Sequence, residues 1–230
     1  MIEVYLDDTG AEHFVGFGGF AGNADEWKKL EFIFRALNEK HNISEFHARS
    51  CSYLVVEYAL RVLDYRLYLV GFTIDVPGYL EYARERVRDP FLHNKFASTA
   101  GACARRIFDW LHWHPNEQCA LFVDCKKNYS QSVVDAITHE AERSERNPLI
   151  SVTILNEENR YLFPGRQVAD LGANLTAKHV AACHYGLRTG KDLAHAFYDR
   201  NRWLGIIHCP EDNVEKLADI FTDPEWSKML

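Results

Sequence analysis

Ile2 to Asp7 alternates, with Ile2, Val4 and Leu6 on one face and Glu3, Tyr5 and Asp7 on the other, which reads as a half-buried strand. Asp8-Thr9-Gly10 supplies turn formers directly after it. The run His13 to Phe20, rich in Phe, Val and Gly, then reads as a strand returning antiparallel, a hairpin that leaves Asp7 and Asp8 at a strand end. Asn23 is placed to cap a helix whose apolar stripe is Trp27, Leu30, Phe34 and Leu37, spaced by three and four residues. Glu45-Phe46-His47-Ala48 is too short for a helix and poor in turn formers, so it reads as a short extended connection before a second helix over Tyr53 to Leu63. Tyr65 to Val76 is strand-like through Leu67, Leu69, Gly71 and Thr73, and Pro77-Gly78 ends it.

Tyr79 to Trp113 carries a helical pattern that splits into two helices near Asp89-Pro90, because proline disfavours helical geometry in the residue before it. Cys119 to Asp124 is a short apolar strand, and Ser130 is placed to cap a helix over Val133, Val134 and Ile137. Ile150 to Leu155 is a further strand, followed by a polar loop from Asn156 to Pro164. The stretch Gly165 to Tyr185, mostly Ala, Leu, Val and Gly, predicts a closely packed helix. Gln167, Asp170 and Asn174 interrupt it at intervals of three and four, which puts them on one face. A short helix after Gly190, a strand over Trp203 to Cys209 and an acidic helix around Val214 to Phe221 complete the chain. With no repeat, low-complexity tract or linker, residues 1–230 read as a single domain.

Composition adds two constraints. A formal net charge of -7 argues against a protein that simply coats nucleic acid or an anionic membrane, since such binding rests on summed Lys and Arg. A site with metal ions escapes that argument, because cations there stand between acidic side chains and phosphates. The six cysteines (51, 103, 119, 125, 183, 209) never approach C-x-x-C spacing, so buried thiols in a reducing cytoplasm are expected, with no secretory leader and no membrane-spanning segment.

Three aspartates stand out by context: Asp7 at the end of the first strand, Asp124 at the end of a later apolar strand, and Asp170 on the small-residue helix. An ionised carboxylate at the edge of packed apolar structure is costly unless paired or bound to metal, and two or three together demand a cation. Magnesium or manganese fits such a cluster, because hard cations prefer oxygen ligands, and one or two ions can hold both attacking and leaving oxygens of a phosphodiester. The ordinary alternatives are a turn-capping role for a strand-end Asp and an Arg partner for a helix Asp.

Tyr5-Leu6-Asp7-Asp8-Thr9-Gly10 resembles the Tyr-Ile-Asp-Glu-Ser-Gly opening of the domain-of-unknown-function family numbered 3800, which is grouped with ribonuclease H-like folds. Phe46-His47-Ala48, the strand end Phe122-Val123-Asp124, and Gln167-Val168-Ala169-Asp170-Leu171 are similar to that family's later motifs in the same order. The resemblance implies an α/β fold, a ribonuclease H-like mixed β-sheet flanked by α-helices, with helical insertions and a C-terminal helical extension. It further implies that Asp7, Asp124 and Asp170 are metal-binding acids and that His47 is an additional catalytic residue. Asp8 stands where the family usually has Glu, which keeps the charge and shortens the reach. Ribonuclease H-like sites usually take a further acid from the first helix after the opening strands; none is identified there, and Glu45 and Glu57 are the alternatives.

His47 could position water, protonate a leaving group, ligate metal or only hydrogen-bond a backbone carbonyl. Lys126 and Lys127, directly after Asp124, could contact substrate phosphate. Gln167 and Asn174 are expected to orient the helix carboxylate, while Arg160 and Arg166 flank the loop into that helix and are weaker candidates for a basic rim. His112-Trp113-His114 reads as surface or partly buried aromatics, since its two imidazoles diverge on a helix. The sequence therefore suggests a metal-dependent nuclease acting on nucleic acid of unspecified type, with Mg or Mn as cofactor. Its rivals are an inactive interaction or sensing module of the same fold and, last, a metal-free glycosidase using two carboxylates. Self-association through Phe108 to Trp113 is expected if those aromatics are exposed.

Overall fold

A computed structural model describes residues 1–75, 94–144, 150–156, 165–187 and 193–209. Six strands, β1 (Ile2–Gly10), β2 (Phe14–Asn23), β3 (Leu67–Asp75), β4 (Cys119–Asp124), β5 (Ile150–Leu155) and β6 (Trp203–Cys209), form one sheet in the order β5-β4-β1-β2-β3-β6. β2 is antiparallel to both neighbours, while β1/β4, β4/β5 and β3/β6 are parallel. The protein is thus α/β with a mixed six-stranded sheet. Among the described residues the helices are α1 (Ala24–His41), α2 (Val55–Leu63), α3 (Lys95–Leu111), α4 (Ser130–Arg143), α5 (Gly165–Tyr185) and the short α6 (His195–Asp199). Expected features at Pro77-Gly78, in Tyr79 to His93, around Arg160 and in Val214 to Phe221 lie outside the described residues.

Both sheet faces are covered. On one, Val4, Leu6, Phe72 and Val123 pack with Ala100, Ile107, Val133 and Ile137 of α3 and α4. On the other, Tyr5, Phe20 and Leu69 meet α1, α2, α5 and α6 through Trp27, Tyr58, Leu171 and Phe197. The half-buried reading of β1 is therefore corrected: Tyr5 on the supposed polar face is buried, with its ring stacked on Phe122 at 4.7 Å. A second correction concerns the first turn. Asp8, Thr9 and Gly10 continue the β1 ladder opposite Phe17, Gly16 and Val15, and the reversal falls at residues 11–13, closed by the Ala11 N–H donating to the Phe14 carbonyl (2.9 Å). Continued pairing outweighs the turn preference of an Asp-Thr-Gly run.

Asn23 caps α1 as expected, its Oδ1 accepting from the Asp25 N–H at 2.9 Å. Ser130 does not cap α4; Tyr129 occupies that position, and the Ser130 hydroxyl donates to the Lys127 carbonyl. The Phe108 to Trp113 stretch is not an aromatic face either. Phe108 and Leu111 are buried, Trp110 packs on Tyr68, and Trp113 is largely exposed. Among the described residues no helix is long and apolar enough to cross a membrane. Cys103, Cys119 and Cys209 are buried as anticipated, whereas Cys183 is exposed.

The approach of α5 to the sheet decides where Asp170 lies. A Cβ on Gly172 would stand 2.6 Å from the Gly19 Cα, and one on Gly18 would stand 2.9 Å from the Ala173 Cα, so backbone meets backbone across this interface. Gly172→Val is expected to push the helix off β2, lower stability by about 1–3 kcal/mol and weaken any function that needs Asp170 beside the strands. Urea denaturation measures the first effect, and an unchanged midpoint would contradict this packing.

Candidate functional site

Strand register brings the first two acids together. Asp7 and Asp124 are direct partners across the parallel β1/β4 pair, at the last paired position of β4. Alternation puts Asp7 on the same face as Tyr5, and Asp124 on the same face as Phe122, which is the side covered by α5. Asp8 faces the opposite way, where its carboxylate accepts the buried Tyr129 hydroxyl.

Asp170 comes from α5 on that covered face. Its Oδ2 accepts from the Ala48 N–H at 2.5 Å. One turn earlier, Gln167 Oε1 accepts from the Phe46 N–H (3.0 Å) and from Asn38 Nδ2 (2.8 Å), and the Tyr58 hydroxyl donates to Asn38 Oδ1 (2.5 Å). Two side chains of α5 thus hold the 45–48 segment by its backbone, with Phe46 buried and stacked on Tyr58 at 3.9 Å. The role expected for Gln167 is corrected accordingly: it fixes the segment bearing His47 instead of orienting Asp170. Gln167→Ala is expected to cost about 1–3 kcal/mol, because it leaves a partly buried amide and N–H unsatisfied. Hydrogen exchange at the Phe46 N–H, faster in the variant, checks this directly.

Arg166 ties the two halves. Its Nε donates to Asp124 Oδ2 and its Nη1 to Glu45 Oε1. Glu45 Oε2 in turn lies 3.4 Å from His47 Nε2. Glu57, the other acid considered, lies elsewhere and pairs with Lys40 and His41. From sequence alone Glu45 is one of two alternatives and Arg166 only a candidate for a basic rim. A cation four residues before Asp170 on the same helix was the signal available for Arg166. Nothing local marked Asn38 or Tyr58.

Burial and mutual charge shift the titration of the acids. Burial first, then the charges of Asp124, Asp170 and Asp8, push the Asp7 carboxyl well above the ordinary aspartate range. Burial also raises Asp170, with partial relief from the Ala48 N–H, His47 and Arg166. The neighbouring Cys125 thiol is pushed up to about 12 by burial and by Asp124, Asp8 and Asp7, so it is a poor nucleophile at neutral pH. Beside these groups opens a cleft of about 880 Å³ lined by Asp7, Asp8, Asp124, Lys126, Lys127 and Arg166, among others. Lys126 and Lys127 are exposed at it, and His47 is exposed beyond Glu45.

A magnesium or manganese ion suits this donor set in chemistry. The groups are carboxylates, and Asn174 Oδ1, four residues beyond Asp170 on α5, is buried with no hydrogen-bond partner. The carboxylates do not form a closed cage. Among the described residues, His179, Cys183 and His195 are the set of three His, Cys or acidic side chains whose ligand atoms lie within 4.8 Å of one another. Oxygens around magnesium stand about 3 Å apart, so the acids would draw inward on an ion. A scan against protein-family models finds no match, and a search of curated proteins finds no significant relative.

Proposed function

We propose that the protein is a metal-dependent nuclease of ribonuclease H-like fold, in which Asp7, Asp124 and Asp170 hold Mg or Mn. The observation carrying this reading is the adjacency of Asp7 and Asp124 across β1/β4, with burial and then the charges of Asp124 and Asp170 raising the Asp7 carboxyl. Such mutual repulsion is what a divalent cation relieves. The mixed sheet, with Asp7 and Asp124 paired on its inner strands β1 and β4, supports the fold reading. When bound, the metal supplies phosphate polarisation and a lowered pKa for attacking water. Arg166 holds Asp124 and Glu45 in place, Glu45 orients His47 through Nε2, and the exposed imidazole transfers a proton at its other ring nitrogen, Nδ1. Lys126 and Lys127 attract the polyanion to the cleft.

Hydrolysis of labelled DNA, RNA and hybrid duplexes in manganese buffer tests this reading. Cleavage of at least one substrate, abolished by chelator and by Asp170→Asn, is expected. Arg166 favours a second reading, because a guanidinium bridging Asp124 and Glu45 stabilises acids without metal, as an inactive interaction module would require. Absence of both cleavage and metal binding would select it.

A further inference from the structure

We infer that His179, Cys183 and His195 form a binding site for a zinc-class divalent ion, separate from the carboxylates. His179 and Cys183 stand four residues apart on α5 and therefore share a helix face, while His195 opens α6. Ligand atoms of the three lie within 4.8 Å of one another, and Cys183 Sγ is 3.8 and 3.9 Å from the two His179 ring nitrogens. Tetrahedral zinc, with bonds of about 2.0–2.1 Å to nitrogen and 2.3 Å to sulfur, needs a nitrogen–sulfur edge of about 3.6 Å. Small side-chain rotations therefore suffice. The Trp203 ring, with its centroid 5.3 Å from that of His179 and the two planes at 73°, walls one side. His184, next to Cys183, turns away to contact His208 at 4.4 Å. Three protein ligands leave the fourth tetrahedral position to water.

One thiolate and two imidazoles select borderline-soft ions over Mg, Mn or Ca, which prefer oxygen. The site also lies nine residues beyond Asp170, about 13 Å along α5, so it does not share ligands with the acidic cluster. A bound ion would staple α6 to the C-terminal half of α5.

Cobalt(II) titration of metal-free protein tests the site, because a thiolate ligand gives a sulfur-to-cobalt charge-transfer band that carboxylates cannot. The expected result is a saturable band at one equivalent, displaced by zinc and retained in Asp7→Asn and Cys125→Ser. It is lost in Cys183→Ser and weakened by about tenfold or more in His195→Ala. Zinc should also raise the melting temperature of wild type but not of His195→Ala, a variant at an exposed position that leaves the core intact. No charge-transfer band in folded wild type, or a band surviving Cys183→Ser, overturns the assignment whatever the outcome for nuclease activity.

Discussion

Asp7→Asn is expected to lower manganese-dependent cleavage by about 10²–10³-fold or more, the cost of removing one preorganised electrostatic group, while making the metal-free protein more stable. Both effects have one cause. The Asp7 carboxyl is buried and faces the charges of Asp124, Asp170 and Asp8, so its ionised form strains the apo fold and favours an added cation. A carboxyl raised on folding holds its proton more tightly in the native state. Its contribution to stability is therefore full below the ordinary aspartate range and is lost as pH rises through the raised native value. Metal-free wild type should lose stability across that interval, and Asp7→Asn should show a shallower loss, with the remainder from Asp170, which is shifted the same way. Urea midpoints measured from acid to neutral pH check this. Equal slopes in the two proteins would contradict the electrostatic account.

Arg166→Met is expected to cost about 3 kcal/mol of stability. The guanidinium is nearly buried and serves Asp124 and Glu45 at once, so its loss leaves two carboxylates beside the Asp7 and Asp170 charges. Asp124 and Glu45 retain partial exposure, which keeps the penalty at the lower end for a broken buried pair. Adding Glu45→Gln should recover part of the loss, because it removes one of the stranded charges. A double-mutant cycle with no coupling would show that the bridge contributes nothing. Manganese should also rescue Arg166→Met more than wild type, since the cation replaces the lost positive charge.

Local periodicity carried much of the architecture. The apolar stripe Trp27, Leu30, Phe34, Leu37 and the Asn23 cap give α1, and the small-residue run Gly165 to Tyr185 matches α5 at both ends. The first turn was misjudged because Asp8-Thr9-Gly10 looks like a loop until its pairing to Phe17, Gly16 and Val15 is known, and pairing is not local. The same limit applies at the site. Asp124 ends its strand as expected, whereas Asp7 lies three residues inside the end of β1, and their direct partnership depends on the β1/β4 register. Asp8 sits beside Asp7 in sequence, but strand alternation turns it to Tyr129 on the other face. The Arg166 bridge joins residues 42 and 121 positions apart, a separation that no motif spacing encodes. His179 and Cys183 lie at visible helical spacing, but His195 joins them only through the docking of α6.

Calorimetric titration of metal-free protein with manganese tests the central claim most directly, because it needs no choice of substrate and manganese prefers oxygen donors over the His-Cys set. The account predicts saturable binding to wild type, lost in both Asp7→Ala and Asp170→Ala while their circular dichroism stays native. Absence of binding to folded wild type, or binding unchanged in those two variants, would contradict it.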